Sequence, residues 1–109
     1  MVWYDALLPL LGFRRHKPHI WRNGSFFLQF AQAKTGTSPY ERYGAGVNHV
    51  GFGAPDAGTV HGIRQGMQDA GFEVPDIQML KGAKALFMKD PDGFRFEITY
   101  YPPGVPVVD

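Results

Sequence analysis

The chain has 109 residues, 44% apolar and 19% charged, with a formal charge of +1. That balance excludes a disordered polar chain and leaves room for one domain or two small repeated modules, with a core modest enough that a dimer interface would help stability. The absence of cysteine excludes disulfides, thiolate metal sites and a cysteine nucleophile, and the lack of a basic stripe or an apolar run near the roughly 20 residues of a membrane span argues against nucleic acid and membrane partners. With no basic stretch followed by an apolar signal segment at its start, the chain is expected to be soluble and cytoplasmic.

Tyr4, Leu7, Leu8 and Leu11 fall at helical spacing, with Pro9 shortening or bending the helix and Gly12 stopping it. Phe13 to Trp21 reads as irregular strand with a break or edge at Pro18. Asn23-Gly24 is a tight-turn pair, which predicts a hairpin between a strand ending near Arg22 and one over Ser25 to Gln32. Lys34 to Gly46 is a loop rich in Gly, Thr, Ser and Pro, in which Tyr40, Arg42 and Tyr43 are large enough to fold over a site or simply pack on the surface.

Val47 to Ala54 reads as a strand, and Asp56 can cap the helix that follows, whose buried stripe is Val60, Ile63, Met67 and Ala70. Gly71 stops that helix. Short extended pieces over Phe72 to Leu80 are interrupted at Pro75-Asp76. Ala83 to Lys89 and Phe94 to Tyr101 are strands joined by the turn Asp90-Pro91-Asp92-Gly93. The tail, with Pro102, Pro103 and Pro106, is expected to be extended or loose.

The two sides of the loop repeat one another. Each runs helix, Gly-Phe (Gly12-Phe13 and Gly71-Phe72), short strands, then an aromatic strand. The second side opens with a strand before its helix and the first does not. The expected architecture is therefore α+β: an incomplete N-terminal module over 1–33 lacking its first strand, a loop over 34–46, a βαβββ module over 47–101 and a tail over 102–109.

Side chains alternate between the faces of a strand. Phe94, Phe96, Ile98 and Tyr100 make the helix-facing set of the last strand, which turns Arg95, Glu97, Thr99 and Tyr101 to the opposite face. The same split places His49, Gly51 and Gly53 on that opposite face, where the glycines leave room for a ligand. In the first half Phe26, Leu28 and Phe30 face the core, and Phe27, Gln29 and Ala31 the open side. Gln29 is the repeat counterpart of Glu97. An imidazole and a carboxylate on one face suit a divalent metal. A solvated Glu97 and a His49 bonded to a backbone carbonyl fit the same pattern. His16, His19 and His61 read as surface residues.

Asn48-His49-Val50-Gly51-Phe52, the helix ending Ala70-Gly71-Phe72, and the run from Asp90 to Ile98 together resemble the C-terminal module of the vicinal-oxygen-chelate superfamily of glyoxalases, bleomycin-resistance proteins and extradiol dioxygenases. Tyr4-Asp5 with Leu10-Leu11-Gly12-Phe13 resembles the helix of its N-terminal module. The resemblance implies paired βαβββ modules curled into a mixed sheet around one cavity. By position it makes His49 and Glu97 metal ligands, with Gln29 where some members carry a glutamate; the remaining family ligand sits on the strand missing here. It implies Fe, Mn, Ni or Zn as cofactor and a small oxygen-chelating substrate contacted by Arg95 and Tyr101, with Trp21, Phe27 and Tyr43 as candidates for an aromatic wall. The alternative within the same family is a metal-free, bleomycin-resistance-type binding protein. A homodimer is expected from the small core and the unpaired strand edge.

Overall fold

The computed structural model describes residues 2–105; Pro106 and the end of the tail lie outside the described residues. The element order is α1 (Val2–Leu10), β1 (Arg14–Lys17), β2 (Ile20–Asn23), β3 (Phe26–Gln29), β4 (His49–Gly53), α2 (Ala57–Asp69), β5 (Gln78–Leu80), β6 (Ala83–Lys89) and β7 (Arg95–Tyr100). A helix followed by three strands occurs twice, the second time with β4 in front, as expected of paired modules. The strands form a three-stranded antiparallel sheet, β1-β2-β3, and a four-stranded mixed sheet, β4-β7-β6-β5. In the second sheet β4 runs parallel to β7, and the other pairs are antiparallel.

The repeated Gly-Phe pair has a physical basis. After α1 the Phe13 N–H donates to the Leu8 carbonyl and the Gly12 N–H to that of Pro9. After α2 the Phe72 N–H donates to Met67 and the Gly71 N–H to Gln68. Both helices thus end in the same closing motif, which needs a left-handed residue at the glycine; Gly12 and Gly71 have φ of 84° and 95°. At its other end α2 is capped by Asp56, whose carboxylate accepts from the Thr59 N–H at 2.7 Å and the Thr59 hydroxyl at 2.8 Å. These bonds hold the Asp56 carboxyl below its ordinary range.

One buried cluster joins Trp3 and Leu7 of α1, Val60, Ile63 and Met67 of α2, and Leu86, Met88, Phe96 and Ile98 from the helix-facing side of β6 and β7. A smaller one gathers Leu8, Phe13 and Trp21 under the three-stranded sheet. The Ala70 expected in the α2 stripe is instead the helix's exposed C-terminal cap. No described helix is long and apolar enough to cross a membrane.

Three local expectations shift. The break at Pro18 is the turn of the β1–β2 hairpin, so the irregular strand is two strands. Asn23 pairs with Phe26, making Gly24-Ser25 the centre of the next turn, with Gly24 at φ 59°; glycine supplies the positive φ that this tight loop needs. The tail begins with a turn rather than an extended run, since the Val105 N–H donates to the Pro102 carbonyl.

Candidate functional site

The helices cover one face of the four-stranded sheet and leave the other open. Register sets that open face in cross-strand rows. His49 pairs with Arg95, which pairs with Lys89; Gly51 pairs with Glu97, which pairs with Phe87; Gly53 pairs with Thr99, which pairs with Ala85 and then Gln78. The parallel β4–β7 pairing brings His49 and Glu97 together from strands 48 residues apart in the chain (97 − 49). Their Nε2 and Oε1 atoms lie 3.9 Å apart, with His49 half-exposed and Glu97 mostly buried.

Neighbouring bonds fix both groups. The Asn48 amide nitrogen donates to the Arg42 carbonyl at 2.8 Å, which leaves its oxygen as acceptor for His49 Nδ1, also at 2.8 Å. With Nδ1 donating to that oxygen, a neutral form of the ring would have its Nε2 lone pair on the side of Glu97. A hydrogen-bond partner on the far ring nitrogen sets the tautomer and orientation of a ligating imidazole. Glu97 Oε2 accepts from the Thr99 hydroxyl at 2.8 Å, which leaves Oε1 for His49. The Tyr40 hydroxyl donates to the carbonyls of Val47 and Asn48 and its ring meets Phe94 at 5.4 Å, tying the 34–46 loop down beside β4.

Two adjoining cavities hold the pair. One, of about 410 Å³, runs past His49 and Glu97 over Phe87, Ala85 and Leu80 to Tyr101. The other, of about 310 Å³, adds Arg42, Asn48 and Arg95. A Cβ built on Gly53 meets nothing within 4 Å, and one on Gly51 reaches only Glu97 at 4.0 Å. The glycines therefore hold the floor beside the pair open.

In donor chemistry the pair fits a divalent cation: a neutral imidazole with a free Nε2 and a carboxylate oriented by Thr99. It fills two coordination positions, whereas a firmly held ion takes three or four protein ligands. Among the described residues no group of three or more His, Asp or Glu side chains is placed to hold a metal.

His49, Glu97, Arg95 and Tyr101 thus share one face, as expected. Gln29 and Phe27 lie exposed on the separate three-stranded sheet and line neither cavity that holds His49 and Glu97. Trp21 corrects the aromatic-wall expectation: its side chain is 95% buried, packing with Leu8 and Phe13, because alternation on β2 turns it toward α1. Tyr43 is 83% exposed. Phe26, expected in the core, is 76% exposed at the tip of its hairpin, while Leu28 and Phe30 do pack inward. Arg42, one of the three loop residues expected either to fold over a site or to pack on the surface, lines the cavity of His49 and Glu97, and Phe87 joins it there from a strand to which no site residue was assigned.

Comparison with solved structures decides the architecture. The crystal structure of a candidate glyoxalase from Bacillus halodurans superposes with a TM-score of 0.74 at 24% identity, over 91% of this chain and 83% of that one. The fold is glyoxalase-like. The crystal structure of SMU.1112c matches with a TM-score of 0.53 at 25% identity, over 88% and 86% of the two chains. No protein-family model and no curated protein matches the chain.

Proposed function

We propose that this glyoxalase-like protein binds a small molecule on the open face of its four-stranded sheet, with His49 and Glu97 as chelating residues for a divalent iron, manganese, nickel or zinc ion. The observation that supports this reading is the convergence of the free His49 Nε2 on Glu97 Oε1, with Asn48 and Thr99 orienting the two groups from behind. A bound divalent ion would supply Lewis-acid stabilisation of negative charge developing on neighbouring oxygens of a substrate. Arg95 and Tyr101 contact the substrate from the same face, and Phe87 and Leu80 exclude water beneath it.

A metal-free, bleomycin-resistance-type binding protein is the second reading. It is favoured by the donor count, since only two ligating side chains meet among the described residues. Calorimetric titration of the protein with each of the four ions separates the readings. Saturable binding that Glu97→Ala abolishes supports the chelate; no binding of any ion leaves the sheet face as a binding groove alone. We also propose that the protein works as a homodimer. Phe26 and Phe27 are exposed on β3, a strand at the edge of its sheet, and pairing with a second copy would bury them.

A further inference from the structure

The cations of the open face are concentrated at one end. Arg95 lies between His49 and Lys89 in one cross-strand row. Arg42, from the 34–46 loop, lines the same cavity as Arg95, His49 and Glu97. Two carboxylates stand against these three cations: Glu97 itself, and Glu73 in the adjoining cavity that Arg95 and Lys89 also line. Among the described residues none of Arg42, Lys89 and Arg95 is in an ion pair with a carboxylate.

The two arginines are held by rings instead. Arg42 lies 4.8 Å over Tyr43 and Arg95 lies 5.4 Å over Phe87. Among the described residues neither guanidinium donates a hydrogen bond to a protein group, which leaves its N–H fork for an oxyanion. Arg95 is also partly buried, and a partly desolvated cation gains most from a counter-ion. Away from this end the face turns apolar, through Phe87 and Ala85 to Ala83 and Leu80.

We propose that the ligand of this site is a small amphiphilic anion. An oxyanion head group, carboxylate or phosphonate, is gripped by Arg42 and Arg95. Its apolar body lies on Phe87 and Leu80. This rests on the open-face site proposed above and adds the charge and polarity of what fills it.

The test is NMR titration of the full chain with phenylphosphonate, phenylacetate, benzyl alcohol and benzylamine, following the His49 ring resonances at low and high salt. Both anions should shift those resonances and bind at least about tenfold tighter than benzyl alcohol, with an advantage that shrinks in salt. Whichever anion binds better identifies the head group. Arg95→Gln should cost the anions about ten- to hundredfold in affinity. Arg42→Gln, on an exposed loop where folding is not at stake, should weaken them in the same direction. Benzyl alcohol or benzylamine binding as tightly as the anions while moving the His49 resonances would overturn the anion assignment and leave the open-face site standing. If none of the four moves them, the site and the assignment fall together.

Discussion

Tyr4, in the first helix, donates its hydroxyl hydrogen to Oδ2 of Asp90, in the turn that launches β7. The other carboxylate oxygen, Oδ1, accepts the N–H groups of Asp92 at 2.9 Å and Phe94 at 2.8 Å. One buried carboxylate thus shapes the turn and fastens it to the opposite end of the chain. The strand it positions carries Arg95 and Glu97, so the site depends on this contact without being touched by it.

Tyr4→Phe leaves one Asp90 oxygen without its partner and should destabilise the fold by about 1–3 kcal/mol. Asp90→Ala removes all three acceptor bonds and should cost more. Urea denaturation midpoints give the order, and equal midpoints for Asp90→Ala and the unaltered chain would contradict it.

Burial, and then the bond to Asp90 and the charges of Asp90 and Asp92, push the Tyr4 hydroxyl above its ordinary value. A group whose folded-state value is raised contributes stability that is complete below the unfolded value and is lost as pH rises toward the folded one. For a tyrosine that loss starts near pH ~10. Stability should therefore fall above that pH, and the gap between the unaltered chain and Tyr4→Phe should narrow there. Denaturation midpoints at pH 8 and above check this; a gap that stays constant would count against it.

Asp56 behaves in the opposite sense. Its lowered value means its contribution is present above the ordinary aspartate range and is lost as pH falls through the folded value. Asp56→Ala should lower the thermal midpoint at neutral pH. Asp56→Ser keeps a capping oxygen and should preserve most of the midpoint while removing this residue's share of the acid dependence.

Gly51 lies on the open face beside Glu97, in extended backbone that any residue can adopt. Gly51→Val suits a strand but places methyl groups against the Glu97 carboxylate. The variant should fold with an unchanged far-ultraviolet spectrum and lose affinity for whatever His49 and Glu97 bind. Full retention of that binding would show that the pair is not the site.

Much of the fold was legible in the sequence because its signals are local. Gly12-Phe13 and Gly71-Phe72 mark helix ends through a backbone conformation that only glycine adopts freely. Alternation along β7 separated Phe96 and Ile98 from Glu97, and alternation along β4 turned His49 to the same face as Glu97. Less legible were placements that depend on how distant elements meet. Trp21 has an aromatic side chain on a strand with one buried face, and its sequence neighbours do not say whether that face is a core or a cavity. Gln29 mirrors Glu97 in order, but its strand belongs to a separate sheet. Arg42 sits in a loop without periodicity, and its arrival beside His49 depends on the bonds that Tyr40 and Asn48 make there.

The most direct measurement is the metal content of the purified chain by elemental analysis after loading with divalent iron, manganese, nickel or zinc, compared with His49→Ala. Metal retained by the unaltered chain and lost in the variant is the predicted result. No retained metal, or the same amount in both proteins, would contradict a chelating role for His49 and Glu97.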